Sequence, residues 1–162
     1  MSVQLNADEV FQMAEEIERN GARFYRKAAD AAEPAARDML LGLGMMEDDH
    51  ERTFAAMRAA LPAEARTPMV FDPEDQTALY LRALADGYVF DTRTDPSARL
   101  TGQESLADVL RTAIHLEKES IVFYEGMKLM VPVDAGQASV ERIIREELGH
   151  ITVLSGVLAS RK

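Results

Sequence analysis

The chain has 162 residues, enough for one domain to bury its own core, and with no tryptophan and 6% aromatics that core must be built from aliphatic and methionine side chains. Its 28 acidic against 18 basic side chains leave a net charge of -10, which argues against nucleic-acid partners, whose phosphates reward clustered Lys and Arg. Cysteine is absent, which excludes disulfides, thiol catalysis, iron–sulfur clusters and zinc knuckles, and no apolar run reaches membrane-spanning length behind an N-terminus that is acidic rather than signal-like, so a soluble cytoplasmic protein without membrane contact is expected.

Asn6 followed by Glu9 reads as a capping box and predicts a helix running to about Ala32. Pro34 fits the first turn of a second helix that continues to about Leu61 and stops at Pro62. The segment from about 62 to 104 reads as a crossover, in which Asp72, Pro73 and Asp75 open a short helix closed by Gly87, followed by an irregular stretch from Tyr88 to Thr101. Ser105 with Asp108 begins the third long helix, ending near Met130, and Asp134 with Gln137 begins the fourth, which runs almost to the C-terminus. Four long helices joined by two short turns and one long crossover predict an all-α four-helix bundle in which the third helix runs parallel to the second. One domain over residues 1–162 accommodates them, and the crossover is also where two protomers would exchange hairpins.

One pattern is stated in each half of the chain. Glu47-x-x-His50 and Glu147-x-x-His150 each place a carboxylate and an imidazole on one helix face on adjacent turns, and Glu18 and Glu117 lie on the helix preceding each doublet. Alignment of Glu18 with Glu117 also pairs Ile17 with Leu116, Arg19 with Lys118, Phe24 with Phe123 and Tyr25 with Tyr124. A shift of one residue then pairs Leu43 with Ile143, Glu47 with Glu147 and His50 with His150. A duplicated helical hairpin explains this economically. Helix bundles hold carboxylate-bridged metal pairs with one Glu from each of two helices and a Glu-x-x-His from each of the other two, so all six residues are candidate metal ligands. Four buried carboxylates would be prohibitive alone, and two divalent ions balance them to neutrality. The same-face neighbours Leu40, Leu43, Phe54, Ile143 and Leu154 are apolar, which separates these Glu residues from ordinary solvated ones.

At these residues the chain resembles the ferritin-like diiron superfamily and, within it, the rubrerythrins. The Glu-x6-Tyr spacing of Glu18 to Tyr25 and of Glu117 to Tyr124 is similar to that of rubrerythrins and bacterioferritins, and the stretch from Arg145 to Ile151 is similar to the last metal-binding helix of bacterioferritins. The resemblance implies two iron ions, with manganese or zinc as alternative occupants, bridged by Glu47 and Glu147, with Glu18 and Glu117 terminal and His50 and His150 each on one metal. It also implies a peroxide- or dioxygen-reducing oxidoreductase with Tyr25 and Tyr124 close to the site. Without cysteine there is no rubredoxin module, so an external electron-donor protein is implied, together with a homodimer or higher homo-oligomer. A ferroxidase or iron-storage protein and a non-enzymatic metal-binding bundle are the alternatives. One departure stands out: rubrerythrins place an additional carboxylate one turn after the third-helix Glu, where this chain has Ser120, matched by Gly21 in the first half.

The remaining residues read more plainly. His115, two positions from Glu117, points to another face and is expected at the surface. Glu146 is either an exposed Glu or a partner for His50 across the bundle. Gly42 and Gly44, one turn before Glu47, either permit close helix contact or simply cost about 1 kcal/mol each. Met39, Met45, Met46 and Met57 are expected to fill core or interface space rather than to bind metal.

Overall fold

The computed structural model describes residues 6–66, 83, 95–129, 131, 133 and 136–161, and every regular element among them is helical. Four helices carry the fold: α1 (Ala7–Asp30), α2 (Pro34–Ala59), α3 (Leu106–Met127) and α4 (Gln137–Ala159). At 24, 26, 22 and 23 residues, they span about 33 to 39 Å each.

The caps explain where the helices begin. Asn6 accepts from the Glu9 N–H at 2.9 Å while the Glu9 carboxylate accepts from the Asn6 N–H at 2.9 Å, which closes the expected capping box. Pro34 occupies the first turn of α2, and the Ser105 side chain accepts from the Asp108 N–H at the start of α3. The fourth start differs from expectation. Gly136, at φ 121°, is the N-cap of α4 and makes no side-chain cap bond. Gln137 instead turns its amide back to donate to the carbonyls of Lys128 at 2.9 Å and Val131 at 2.7 Å, closing the turn that follows α3. A side chain at Gly136 would also collide with Met57, whose Cε would lie 2.6 Å from an added Cβ. Asp134, expected as the cap, lies outside the described residues.

Connections of three and nine residues join α1 to α2 and α3 to α4, so each pair is an antiparallel hairpin. Tyr25 of α1 reaches Glu117 of α3, and Tyr124 of α3 reaches Glu18 of α1. This reciprocal pairing makes α1 and α3 antiparallel, hence α2 and α3 parallel, as expected. The short helix expected between Asp72 and Gly87 lies outside the described residues, apart from Ala83. The irregular stretch expected from Tyr88 to Thr101 ends instead in a 3-10 turn, Pro96–Arg99, capped by Asp95 and packed on α1. Arg23 of α1 pairs with Asp95 at 3.3 Å there.

Two apolar clusters fill the bundle, one at each end. Phe11, Phe54, Phe123, Tyr124 and Ile143 build the first, and Phe24, Leu40, Leu43, Leu110 and Leu154 the second. On every helix the polar residues of the repeated pattern lie between those two clusters. Glu18, Glu47, His50, Glu117, Glu147 and His150 are all at most 4% exposed.

Candidate metal centre

These six side chains converge from four helices at mid-bundle in two overlapping groups, Glu18, Glu47, His50 and Glu147, and Glu47, Glu117, Glu147 and His150. Within each group one ligand-type atom per residue lies within 4.8 Å of the others. Glu47 and Glu147 belong to both groups, whereas Glu18, Glu117 and each histidine belong to one. That is the topology of two adjoining positions with two shared carboxylates.

The imidazoles face the centre with Nδ1. His50 Nδ1 is 2.9 Å from Glu147 Oε1 and 3.5 Å from Glu18 Oε2. His150 Nδ1 is 2.8 Å from Glu147 Oε2, 3.3 Å from Glu47 Oε1 and 3.4 Å from Glu117 Oε1. The two rings stand nearly parallel, their centroids 5.8 Å apart. Close as these atoms are, Glu18 Oε2, Glu47 Oε1, both oxygens of Glu147 and the Nδ1 atoms of both histidines are buried without an aligned hydrogen-bond partner among the described residues. Buried polar atoms seldom go unpaired, because each forfeits its hydration. Here they crowd together in two groups, each with one ligand-type atom per residue. An oxygen-rich set with one nitrogen per position suits iron, manganese or zinc, and the charge of two divalent ions would cancel that of the carboxylates. The residues therefore fit a dinuclear metal group.

Protons must balance the charge otherwise. Burial, then the carboxylates of Glu47 and Glu117, push Glu147 up to about 8. Burial, then Glu18 and Glu117, hold Glu47 well above the usual carboxylate range, and burial raises Glu18 as well. Glu117 moves the other way: burial raises it, but the neighbouring His150 and Glu147 and the Tyr25 hydroxyl more than offset this and lower it. For His50, burial opposes protonation but Glu147 and Glu18 override it and push the imidazole up to about 11. Burial is likewise overridden at His150, where Glu117, Glu147 and Glu47 push the ring up to about 12.

Tyrosines complete the inner surroundings. Tyr124 donates its hydroxyl to Glu18 Oε1 and Tyr25 donates to Glu117 Oε1, each across the α1–α3 interface. Burial, then the facing carboxylates, raise both phenols well above their ordinary value, so both hydroxyls remain protonated donors. Fixing Glu18 by one oxygen leaves the other, Oε2, directed at the centre. His50 Nε2 bonds Glu146 Oε2 at 2.8 Å, while Arg142 donates to the other Glu146 oxygen at 3.1 Å. Of the two expectations for Glu146, the structure realises the partner of His50.

A cleft between α1 and α3 approaches the centre from the side of Glu47 and Glu117. Its walls include Gly21, Tyr25, Leu116 and Ser120, with Pro96 of the 3-10 turn at its edge. Gly21 is small for a reason: a Cβ there would stand 3.1 Å from Glu47 Oε2 and 3.3 Å from its Cδ. Ser120, where the resemblance would place a further carboxylate, spends its hydroxyl on the Leu116 carbonyl at 3.1 Å. Neither the role of Gly21 nor the Pro96 edge was expected. A glycine mid-helix, one turn after a candidate ligand, is the signal that would have found the first. Gly44 packs at ordinary distance on Tyr25 and Ala22, whereas Gly42 faces nothing within 4 Å, so only Gly44 allows a close helix approach. His115 lies at the surface, as expected, and Met45 and Met46 are exposed while Met39 and Met57 pack against the core.

No protein-family model matches the chain, and no curated protein matches it. A solved structure from Thermotoga maritima, described as that of a ferritin-like diiron-carboxylate protein, is similar to it with a TM-score of 0.77 and 24% identity over 100% of both chains. The similarity shows the fold, a ferritin-like helical bundle. No helix among the described residues is long and apolar enough to cross a membrane.

Proposed function

We propose that this single-domain chain is a cytoplasmic diiron-carboxylate oxidoreductase of rubrerythrin type that reduces hydrogen peroxide, or dioxygen, with electrons from an external donor protein, and that it works as a homo-oligomer. The observation that carries this is the pair of overlapping buried groups sharing Glu47 and Glu147, since shared carboxylates hold two metals side by side. Two Fe(II) ions would supply one electron each to cleave the O–O bond of hydrogen peroxide, which takes up two protons and leaves as two waters.

The chain's own residues would hold and orient. Glu47 and Glu147, which belong to both groups, would serve both positions, Glu18 and His50 would hold one, and Glu117 and His150 the other. Tyr124 and Tyr25 keep their hydroxyl protons on Glu18 Oε1 and Glu117 Oε1, which stops the terminal carboxylates from turning away. The apolar clusters above and below exclude bulk water. Access remains by the cleft beside Gly21 and Ser120, whose narrow walls suit a diatomic molecule or peroxide rather than an organic substrate. Stopped-flow absorbance of the Fe(II)-loaded protein mixed separately with peroxide and dioxygen tests the proposal: faster oxidation by peroxide is expected, with turnover when a reductant is added.

A ferroxidase and storage role is the second reading, favoured by Ser120, which leaves a symmetric six-residue set without a further carboxylate. Faster oxidation by dioxygen, a large shell by native mass and retained ferric mineral would favour it.

A further inference from the structure

The duplication is broken at one position beside the centre. Glu146 precedes Glu147, and its counterpart in the first half, preceding Glu47, is Met46. His50 therefore has an outer partner, with Nε2 2.8 Å from Glu146 Oε2. His150 has none: its Nε2 is buried without a hydrogen-bond partner among the described residues. His50 lies by Glu147 and His150 by Glu47, so the symmetry of the repeat would direct residue 46 toward His150 as 146 is directed toward His50, while Met46 itself lines the shallow surface pocket beside His50 and Glu146. A thioether there offers no carboxylate.

An imidazole that donates its outer N–H to a carboxylate is held in one tautomer and orientation and becomes a stronger donor at the inner nitrogen. Arg142, bonded to the other Glu146 oxygen, keeps that carboxylate in place. We propose that the two metal positions are inequivalent, with Glu146 acting as a positioning residue that makes the His50 position bind first and more tightly, and Met46 leaving the His150 position weaker and more readily exchanged. This rests on the dinuclear centre proposed above. Such asymmetry suits a site in which one ion stays resident while its neighbour is replaced.

Anaerobic titration with Co(II), followed by calorimetry and visible absorbance, tests it. Wild type should take two ions in two steps separated by roughly 10- to 100-fold in affinity. Glu146→Met should weaken the tighter step by a similar factor and merge the two, and Glu146→Gln, which keeps an acceptor without the charge, should fall between. Met46→Glu, at a position 39% exposed and so tolerant of a carboxylate, should tighten the weaker step. NMR of Zn(II)-loaded protein carrying 15N-histidine gives a readout independent of affinity: Glu146→Met should shift the His50 Nε2–H resonance and spare that of His150, and Met46→Glu the reverse. Two ions bound in one class in wild type, or variants that alter both steps equally, would overturn the inequivalence and leave the dinuclear centre intact. Fewer than two ions in wild type would instead overturn the centre itself.

Discussion

Gly21→Ala should change sign between the metal-free and the metal-loaded protein. Gly21 lies inside α1, where alanine is favoured by up to about 1 kcal/mol through helix propensity. Against this, the new Cβ would stand 3.1 Å from Glu47 Oε2, 3.3 Å from Cδ and 3.4 Å from Cγ, so the carboxylate must retreat by a few tenths of an ångström. Without metal, Glu47 has only protons to satisfy and can give way, so most of the helix gain should survive and raise Tm by up to about 2–4 °C for a chain of this size. With metal, Glu47 is shared between two positions and ligand distances tolerate only about 0.2 Å. A shift of that size in a bridging carboxylate should weaken binding by roughly tenfold, a loss of about 1.4 kcal/mol at fixed metal concentration, which outweighs the gain. Gly42→Ala is the control, because nothing lies within 4 Å of its added Cβ, and it should raise Tm similarly in both states. Thermal melts of both variants, apo and loaded at one metal concentration, measure the difference. If Gly21→Ala moves Tm in the same direction and by the same amount in both states, Glu47 is not constrained by metal and the assignment of a bridging role is wrong.

Glu147→Ala should empty both positions, because Glu147 belongs to both groups, whereas His50→Ala should mainly weaken one, as read by elemental analysis of protein loaded to saturation. Tyr124→Phe leaves Glu18 Oε1 buried without its donor and should cost roughly 1–3 kcal/mol of apo stability in urea unfolding, and an unchanged midpoint would show that this bond contributes nothing. Stability against pH should have opposite slopes with and without metal. In the apo protein, Glu147 is raised from 4.5 to about 8 and His50 and His150 from 6.5 to about 11 and about 12, so the folded state binds more protons than the unfolded state as these groups titrate. Their contribution is complete below the unfolded values and is lost as pH rises, through Glu147 first, so apo Tm should fall between about pH 5 and pH 8 despite the opposing shift of Glu117. Bound metal requires deprotonated carboxylates and should add stability over the same range and lose it on acidification. Parallel apo and loaded curves would mean that these residues do not hold metal.

Much of this architecture was legible in one dimension because it is local or repetitive. Capping at Asn6 and Ser105 and the stop near Pro62 involve residues three or four apart, so α1, α2 and α3 could be bounded closely. The six buried residues announced themselves through the Glu-x-x-His doublets, since helical periodicity alone puts a Glu and a His three apart on one face, and the duplication brings the two faces together. Where α4 begins was decided otherwise: the amide of Gln137 is engaged by two carbonyls of the preceding turn, and the backbone at position 136 adopts a φ of 121°, which favours glycine. Tertiary packing likewise chose the partners across the bundle. Which tyrosine serves which glutamate depends on the antiparallel register of α1 and α3, and the bond from Glu146 to His50 on that of α2 and α4. Neither register is encoded within a single helix. The near-symmetry of the repeat could be read from residue identities, but that Glu146 serves His50 while His150 Nε2 is left without a partner among the described residues is fixed only when four helices close around one centre.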